Sequence, residues 1–237
     1  DKTMALQLIT IPCRANNYAF LFGNPNTGEA VLFDVPEPDA INAAVAQSGW
    51  TLSTVMLTHH HWDHIDGLDG LDNRAALKVI GAKADAHRLP ALDYEVSEGD
   101  TITLCGEDAK IFDVSGHTVG HIAIHLPDSK HLISADSLMA MGCGRLFEGT
   151  PAQMWDSLQK LRKLPGDTVV CSGHEYTESN MRFAQSLEPD NKQLTSRESE
   201  ISAARAAGKP TVPSLLSDEC ATNPFLRADD PILKQAV

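Results

Sequence analysis

The chain has 237 residues and 42% hydrophobic content, enough to bury the core of one large domain or of one domain with a smaller companion, and a disordered or fibrous chain is excluded. Its formal net charge of −13 opposes a nucleic-acid partner, whose phosphates ask for a basic surface, while a surplus of carboxylates can serve hard or borderline cations. There is no run of about 18 apolar residues to span a membrane, no basic-then-apolar leader, and the five cysteines are widely spaced without a C-x-x-C pair, so a cytoplasmic protein in a reducing compartment with no membrane partner is expected.

Asp1-Lys2-Thr3 ahead of Met4 reads as an expression leftover and is set aside. Residues 5–9, 18–22 and 30–33 form strand-like apolar runs, with Gly23-Asn24-Pro25-Asn26 supplying the turn between the last two. An alanine-rich helix over 38–48 and a short buried strand over 54–57 follow, and the alternation points to an α/β chain. Short β-rich pieces then recur at 78–80, 101–104, 110–114, 122–126 and 131–133, a density that suggests sheet on sheet. Trp155, Leu158 and Leu161 mark an amphipathic helix over 151–163, and 168–171 returns as a strand. Beyond 178 the texture turns helical, over 178–187 and 193–207, with no further strand of note. A boundary near 177 divides the chain into domains at 4–177 and 178–237.

Four of these strands end in residues able to bind metal. Thr58-His59-His60-His61-Trp62-Asp63-His64 follows the strand at 54–57. In an extended segment residues two apart share a side, so His59 and His61 can grip one ion while Asp63 and His64 turn toward a second. The plain alternative is a histidine-rich surface loop, which rarely follows a buried strand with an acid at this offset. His117 in Gly116-His117-Thr118-Val119-Gly120-His121 leaves another strand end, whereas His121 opens the next strand and reads as structural. Asp136 after 131–135 would by itself be a helix cap, and Gly173-His174 repeats the strand-then-histidine form. Together they provide donors for two ions with one carboxylate shared.

This T-H-x-H-x-D-H, G-H-T-x-G-H, strand-Asp and G-H series resembles the metallo-β-lactamase superfamily over residues 5–177. The resemblance implies a four-layer αβ/βα sandwich, an α/β (α+β) fold. It further implies one ion on His59, His61 and His117, and a second on Asp63, His64 and His174 with Asp136 bridging. Asp34 and Thr58 are expected to orient the first-motif loop. Fold alone does not select the reaction.

The stretches Ile11-Pro12-Cys13, Asn17-Tyr18-Ala19-Phe20, Gly142–Thr150, Gly173–Thr177, Thr211–Ser214 and Thr222–Arg227 resemble the glyoxalase II (hydroxyacylglutathione hydrolase) family, including its small C-terminal helical domain, here 178–237, at the glutathione site. That resemblance implies hydrolysis of S-D-lactoylglutathione and related S-2-hydroxyacylglutathiones to a 2-hydroxy acid and glutathione, in methylglyoxal detoxification. The nucleophile would be hydroxide bridging two divalent ions, with zinc foremost and iron or manganese also accommodated. Asp63 and Asp136 would serve catalysis by offsetting the charge of the ions. Arg145, Tyr176 and Arg227 are the expected substrate contacts, since glutathione carboxylates call for cations or donors. Phe147, also expected at the substrate, stands where some relatives have tyrosine, and only Lys234 adds a cation to the short tail. Cys143 is assigned no role. The chain is expected to be a monomer, with a dimer as the alternative. The rival activity is glutathione persulfide oxidation, or cleavage of another thioester or lactone, on the same fold. A non-catalytic metal-stabilised module is opposed by the absence of cysteine ligands.

Overall fold

The computed structural model describes residues 5–237, so the reading of residues 1–4 lies outside the described residues. Contacts divide the chain into two units, each made of two segments: Asp1–Asp113 with Gly120–Ile133, and Val114–Val119 with Ser134–Val237.

In the first unit, β1 (Gln7–Cys13), β2 (Asn17–Gly23) and β3 (Glu29–Phe33) form an antiparallel meander. Helix α1 (Pro38–Ser48) then crosses to β4 (Thr51–Met56), which runs parallel to β3. After the one-turn helix α2 (Trp62–Ile65), strands β5 (Lys78–Ala82) and β6 (Tyr94–Val96) extend the parallel side, giving the order β1-β2-β3-β4-β5-β6. Ala30, Val31, Leu32 and Phe33 are all fully buried, the continuous apolar run that a strand covered on both faces requires. Helix α1 has Pro38 in its first turn and stops at Gly49, whose φ of 74° allows the left-handed closing residue. Its Ile41, with Ala40, Ala44 and Val45, packs on Leu21, Leu32, Val55 and Val79. A second sheet follows, with β7 (Thr101–Leu104), β8 (Glu107–Asp113), β9 (Ile122–Leu126) and β10 (His131–Ala135) pairing antiparallel in chain order.

In the second unit the end of β10 leads into a hairpin of β11 (Leu138–Met139) and β12 (Gly142–Cys143). Helix α3 (Pro151–Arg162) opens with a capping box between Thr150 and Gln153 and buries Met154, Leu158 and Leu161. Strand β13 (Val169–Ser172) leads to Gly173, whose N–H donates to Ala135 O at 2.9 Å. Helices α4 (Thr177–Leu187) and α5 (Lys192–Ala206) agree with the expected 178–187 and 193–207 to within a residue. The helical texture expected after them is broken by β14 (Ser214–Leu215), antiparallel to β13, before α6 (Leu216–Thr222) and α7 (Pro231–Gln235). Two residues have no period of their own, so that strand exists only through its partner's backbone.

Among the described residues no helix is long and apolar enough to cross a membrane.

Candidate metal centre

In the first unit the parallel strands set the histidine segment. Strand β3 ends at Asp34, which takes φ 63° and donates its N–H to Met56 O at 2.9 Å, beside the end of β4. From there Asp34 holds the next turn of chain: Oδ1 accepts from Thr58 N at 2.8 Å and Oδ2 from Thr58 Oγ1 at 2.7 Å. The chain is extended at His61 (φ −58°, ψ 140°) and then enters α2. The side-chain period thus changes from two to 3.6 between the first pair of donors and the second. The rings of His59 and His61 lie 4.9 Å apart, and those of His59 and His64 4.2 Å apart. Asp63 Oδ2 is 3.6 Å from His64 Nε2. Asn17, buried at the start of β2, donates Nδ2 to Asp63 Oδ2 at 3.0 Å and to Asp63 O at 3.2 Å. His121 is fully buried and stacks on His59 with centroids 4.4 Å apart and planes 18° apart.

In the second unit Asp136 lies between two imidazoles, its Oδ2 3.4 Å from His117 Nε2 and 3.2 Å from His174 Nε2. Both rings have an exposed aromatic neighbour. Phe147 meets His117 edge-on at 5.3 Å, and Tyr176 stacks on His174 at 4.6 Å with the planes 2° apart. The Arg145 side chain is exposed, while its main-chain carbonyl lies 2.7 Å from His117 Nδ1. Gly144 lies so close that a Cβ there would fall 1.8 Å from Asp136 O and 2.9 Å from His117 Nδ1.

The donor chemistry fits divalent cations. The Thr58 hydroxyl proton goes to Asp34, so Thr58 Oγ1, 2.9 Å from His59 Nδ1, can only accept from it. His64 Nδ1 lies 2.8 Å from Asp34 Oδ2, and His117 Nδ1 faces a carbonyl, so both donate as well. All three rings are thereby left with the lone pair on Nε2, the tautomer a metal ligand needs. Two ligands each about 2.1 Å from a tetrahedral ion stand about 3.4 Å apart, the separation seen at Asp136–His117, Asp136–His174 and Asp63–His64. Asp34 also groups with His59 and His64 as donors within 4.8 Å. Its two oxygens already receive three hydrogen bonds, which suits a support better than a ligand.

Arg227, expected at the substrate, has its guanidinium engaged on carboxylates of its own unit. Nη1 and Nη2 donate to the two oxygens of Glu188, and Nη2 also to Asp230 Oδ2 at 3.1 Å. Burial pushes the Cys143 thiol up to about 12, so at neutral pH it is not a thiolate nucleophile. Asn17, Gly144 and the Arg145 carbonyl escaped the sequence reading. Their only signal was membership of the Asn17–Phe20 and Gly142–Thr150 stretches noted above, which gave none of them a role at the donors.

The family model described as the metallo-beta-lactamase superfamily matches residues 13–174, and the one described as hydroxyacylglutathione hydrolase C-terminus matches residues 175–237. The chain is 60% identical over 228 residues to a Ruegeria pomeroyi protein named hydroxyacylglutathione hydrolase, covering 96% of this chain and 89% of the relative. It is also 60% identical over 225 residues to a Jannaschia protein of the same name, covering 95% and 88%. Among solved structures, the BLEG-1 B3 metallo-beta-lactamase superposes with a TM-score of 0.72 over 93% of this chain and 99% of that one. At 20% identity it speaks for the fold alone.

Proposed function

The chain belongs to the hydroxyacylglutathione hydrolase family of the metallo-β-lactamase superfamily, and from that membership we propose how its residues carry out the reaction. The activity is hydrolysis of a hydroxyacylglutathione thioester. The acyl group we propose is D-lactoyl, which places the reaction in methylglyoxal detoxification.

Two divalent ions, zinc in the first instance and iron or manganese otherwise, are assigned to His59, His61 and His117 and to Asp63, His64 and His174, with Asp136 shared. The observation that carries this assignment is the position of Asp136 Oδ2, within 3.4 Å of a ligand nitrogen of each set. Ions so held supply a water acidic enough to ionise near neutral pH and a Lewis acid for the thioester carbonyl.

The remaining assignments concern the chain itself. Asp63 and Asp136 offset the charge of the ions. Asp34, Thr58 and the Arg145 carbonyl keep three imidazoles in one tautomer and one orientation. The exposed Arg145 guanidinium is the cation for a glutathione carboxylate, because Arg227 is committed to Glu188 and Asp230. Arg227 then braces the 178–237 segment that we assign to the glutathione site. Phe147 and Tyr176 offer ring faces beside the ligands, and Phe147 without a hydroxyl contributes contact rather than a hydrogen bond. The departing thiol is far more acidic than an amine, so no residue need protonate it. The working location is the cytoplasm and the working state a monomer.

The test is hydrolysis of S-D-lactoylglutathione by purified protein, with metal content measured before and after chelation. Chelator-sensitive turnover with close to two ions per chain is expected. Undiminished turnover after complete metal removal would sink the two-ion assignment.

A further inference from the structure

The turn between β11 and β12 runs against its own backbone preference. Ala140-Met141 has none of the Gly, Asn or Asp that two-residue hairpin loops favour, and Met141 sits at φ 62°, the left-handed region that disfavours a residue with a Cβ. The turn is held from outside at every residue. Asn180 of α4 donates Nδ2 to Ala140 O at 3.1 Å, and Glu219 of α6 accepts from Met141 N at 2.8 Å. Asn223, just after α6, donates Nδ2 to Met139 O and to Gly142 O, both at 3.0 Å, and to Glu219 Oε1 at 3.3 Å. Glu219 and Asn223 have no exposed surface, and Arg197 pairs with Glu219 Oε2 at 2.5 Å while donating to Thr222 Oγ1 at 2.9 Å. A strained residue persists only where its surroundings over-determine it, and a buried carboxylate only where it is paired.

What this turn carries is Asp136 and the backbone that meets His117. Asp136 and Ser137 lead into the hairpin, and Gly144 and Arg145 leave it. Gly144 N donates to Ser137 O at 3.0 Å, the close approach of Gly144 brings its backbone against Asp136 O and the His117 ring, and Arg145 O receives His117 Nδ1. We propose that Glu219 and Asn223 are positioning residues for Asp136 and His117, acting through the 139–142 turn. Residues matched to the C-terminal family model thereby frame the metal donors as well as the substrate end. This rests on the metal assignment above.

The experiment measures zinc affinity of the chelator-stripped full chain by competition with a chromogenic chelator, alongside its melting temperature. Asn223→Ala is expected to weaken zinc binding about 10–100-fold, as loss of a ligand's supporting partner does. Leu158→Ala, which removes core packing on α3 and no hydrogen bond of the turn, is expected to lower the melting temperature while affinity stays within about threefold of wild type. The proposal is overturned if Asn223→Ala binds zinc like wild type, or if Leu158→Ala weakens binding as much. Should Asn223→Ala not fold, the partly buried Asn180→Ala is read instead, with unchanged affinity counting against the proposal. A wild-type chain that takes up no zinc would remove the metal assignment itself, a result distinct from any variant's.

Discussion

An imidazole offers a metal its lone pair only on the nitrogen without a proton, and here three neighbours decide which nitrogen that is. Thr58, Asp34 and the Arg145 carbonyl each take the Nδ1 proton of one ring, His59, His64 and His117 respectively. Glycine at 144 is what lets the last of them approach, so Gly144→Ala is expected to push Asp136 and His117 apart. Its zinc affinity should drop by at least about tenfold, measured on stripped protein by chelator competition. Wild-type affinity in that variant would mean the loop moves aside freely. The candidate donors stood out in the sequence because these His and Asp residues gather just beyond the ends of apolar strands. Among their holders Asp34 and Thr58 were legible as well, whereas Gly144 and the Arg145 carbonyl were not, because they act through the main chain, which carries no trace of residue type. For Arg145 the sequence argument concerned the side chain, and the carbonyl adds a contact with His117 Nδ1.

At the scale of elements, β9 and β10 carry two histidines outside the donor set. His125 is held below its usual pKa by burial and then by Lys110, its cross-strand partner on β8, and His131 by burial, with its ring edge-on to Phe22 at 4.9 Å. Both are therefore neutral in the folded chain at a pH where the unfolded chain has begun to bind protons. The unfolded value is about 6.5, so this stability is complete above that pH and is lost as pH falls from there through the lower folded values. The melting temperature of stripped protein should fall between pH 7.5 and 5, and more steeply than in His125→Gln. Equal slopes would show that His125 does not contribute. The longer elements were readable in outline, since β3 declares itself by an unbroken apolar run and α3 by an apolar stripe at helical spacing. β6, with three residues, and β14, with two, were not, because they are strands only through the neighbours they pair with.

For the molecule as a whole, the sequence places a textural break near 177, while contacts place residues 134–237 in one unit. Texture follows local propensity, whereas the unit is defined by long-range packing. Met141 lies in one apolar cluster with Met181, Ala184, Leu194 and Ile201, on the far side of that break. A chain cut to residues 4–177 loses this cover together with Asn180, Glu219 and Asn223. It is expected to show reduced cooperativity on melting and no tight zinc site, measured by circular dichroism and metal content. A fragment that folded and bound two ions would place the whole metal framework before 178. The order of synthesis gives the hairpin a further consequence. Roughly 90 residues, or about 5 to 20 s of translation, separate Ile133, where the first unit ends, from Asn223. Over that interval β4, which leads into the segment bearing His59, His61, Asp63 and His64, can already pack, while the turn after Asp136 lacks its last anchor. On the metal assignment proposed above, the nascent chain would then offer in packed surroundings only the first unit's four of the seven donors until α6 has left the ribosome.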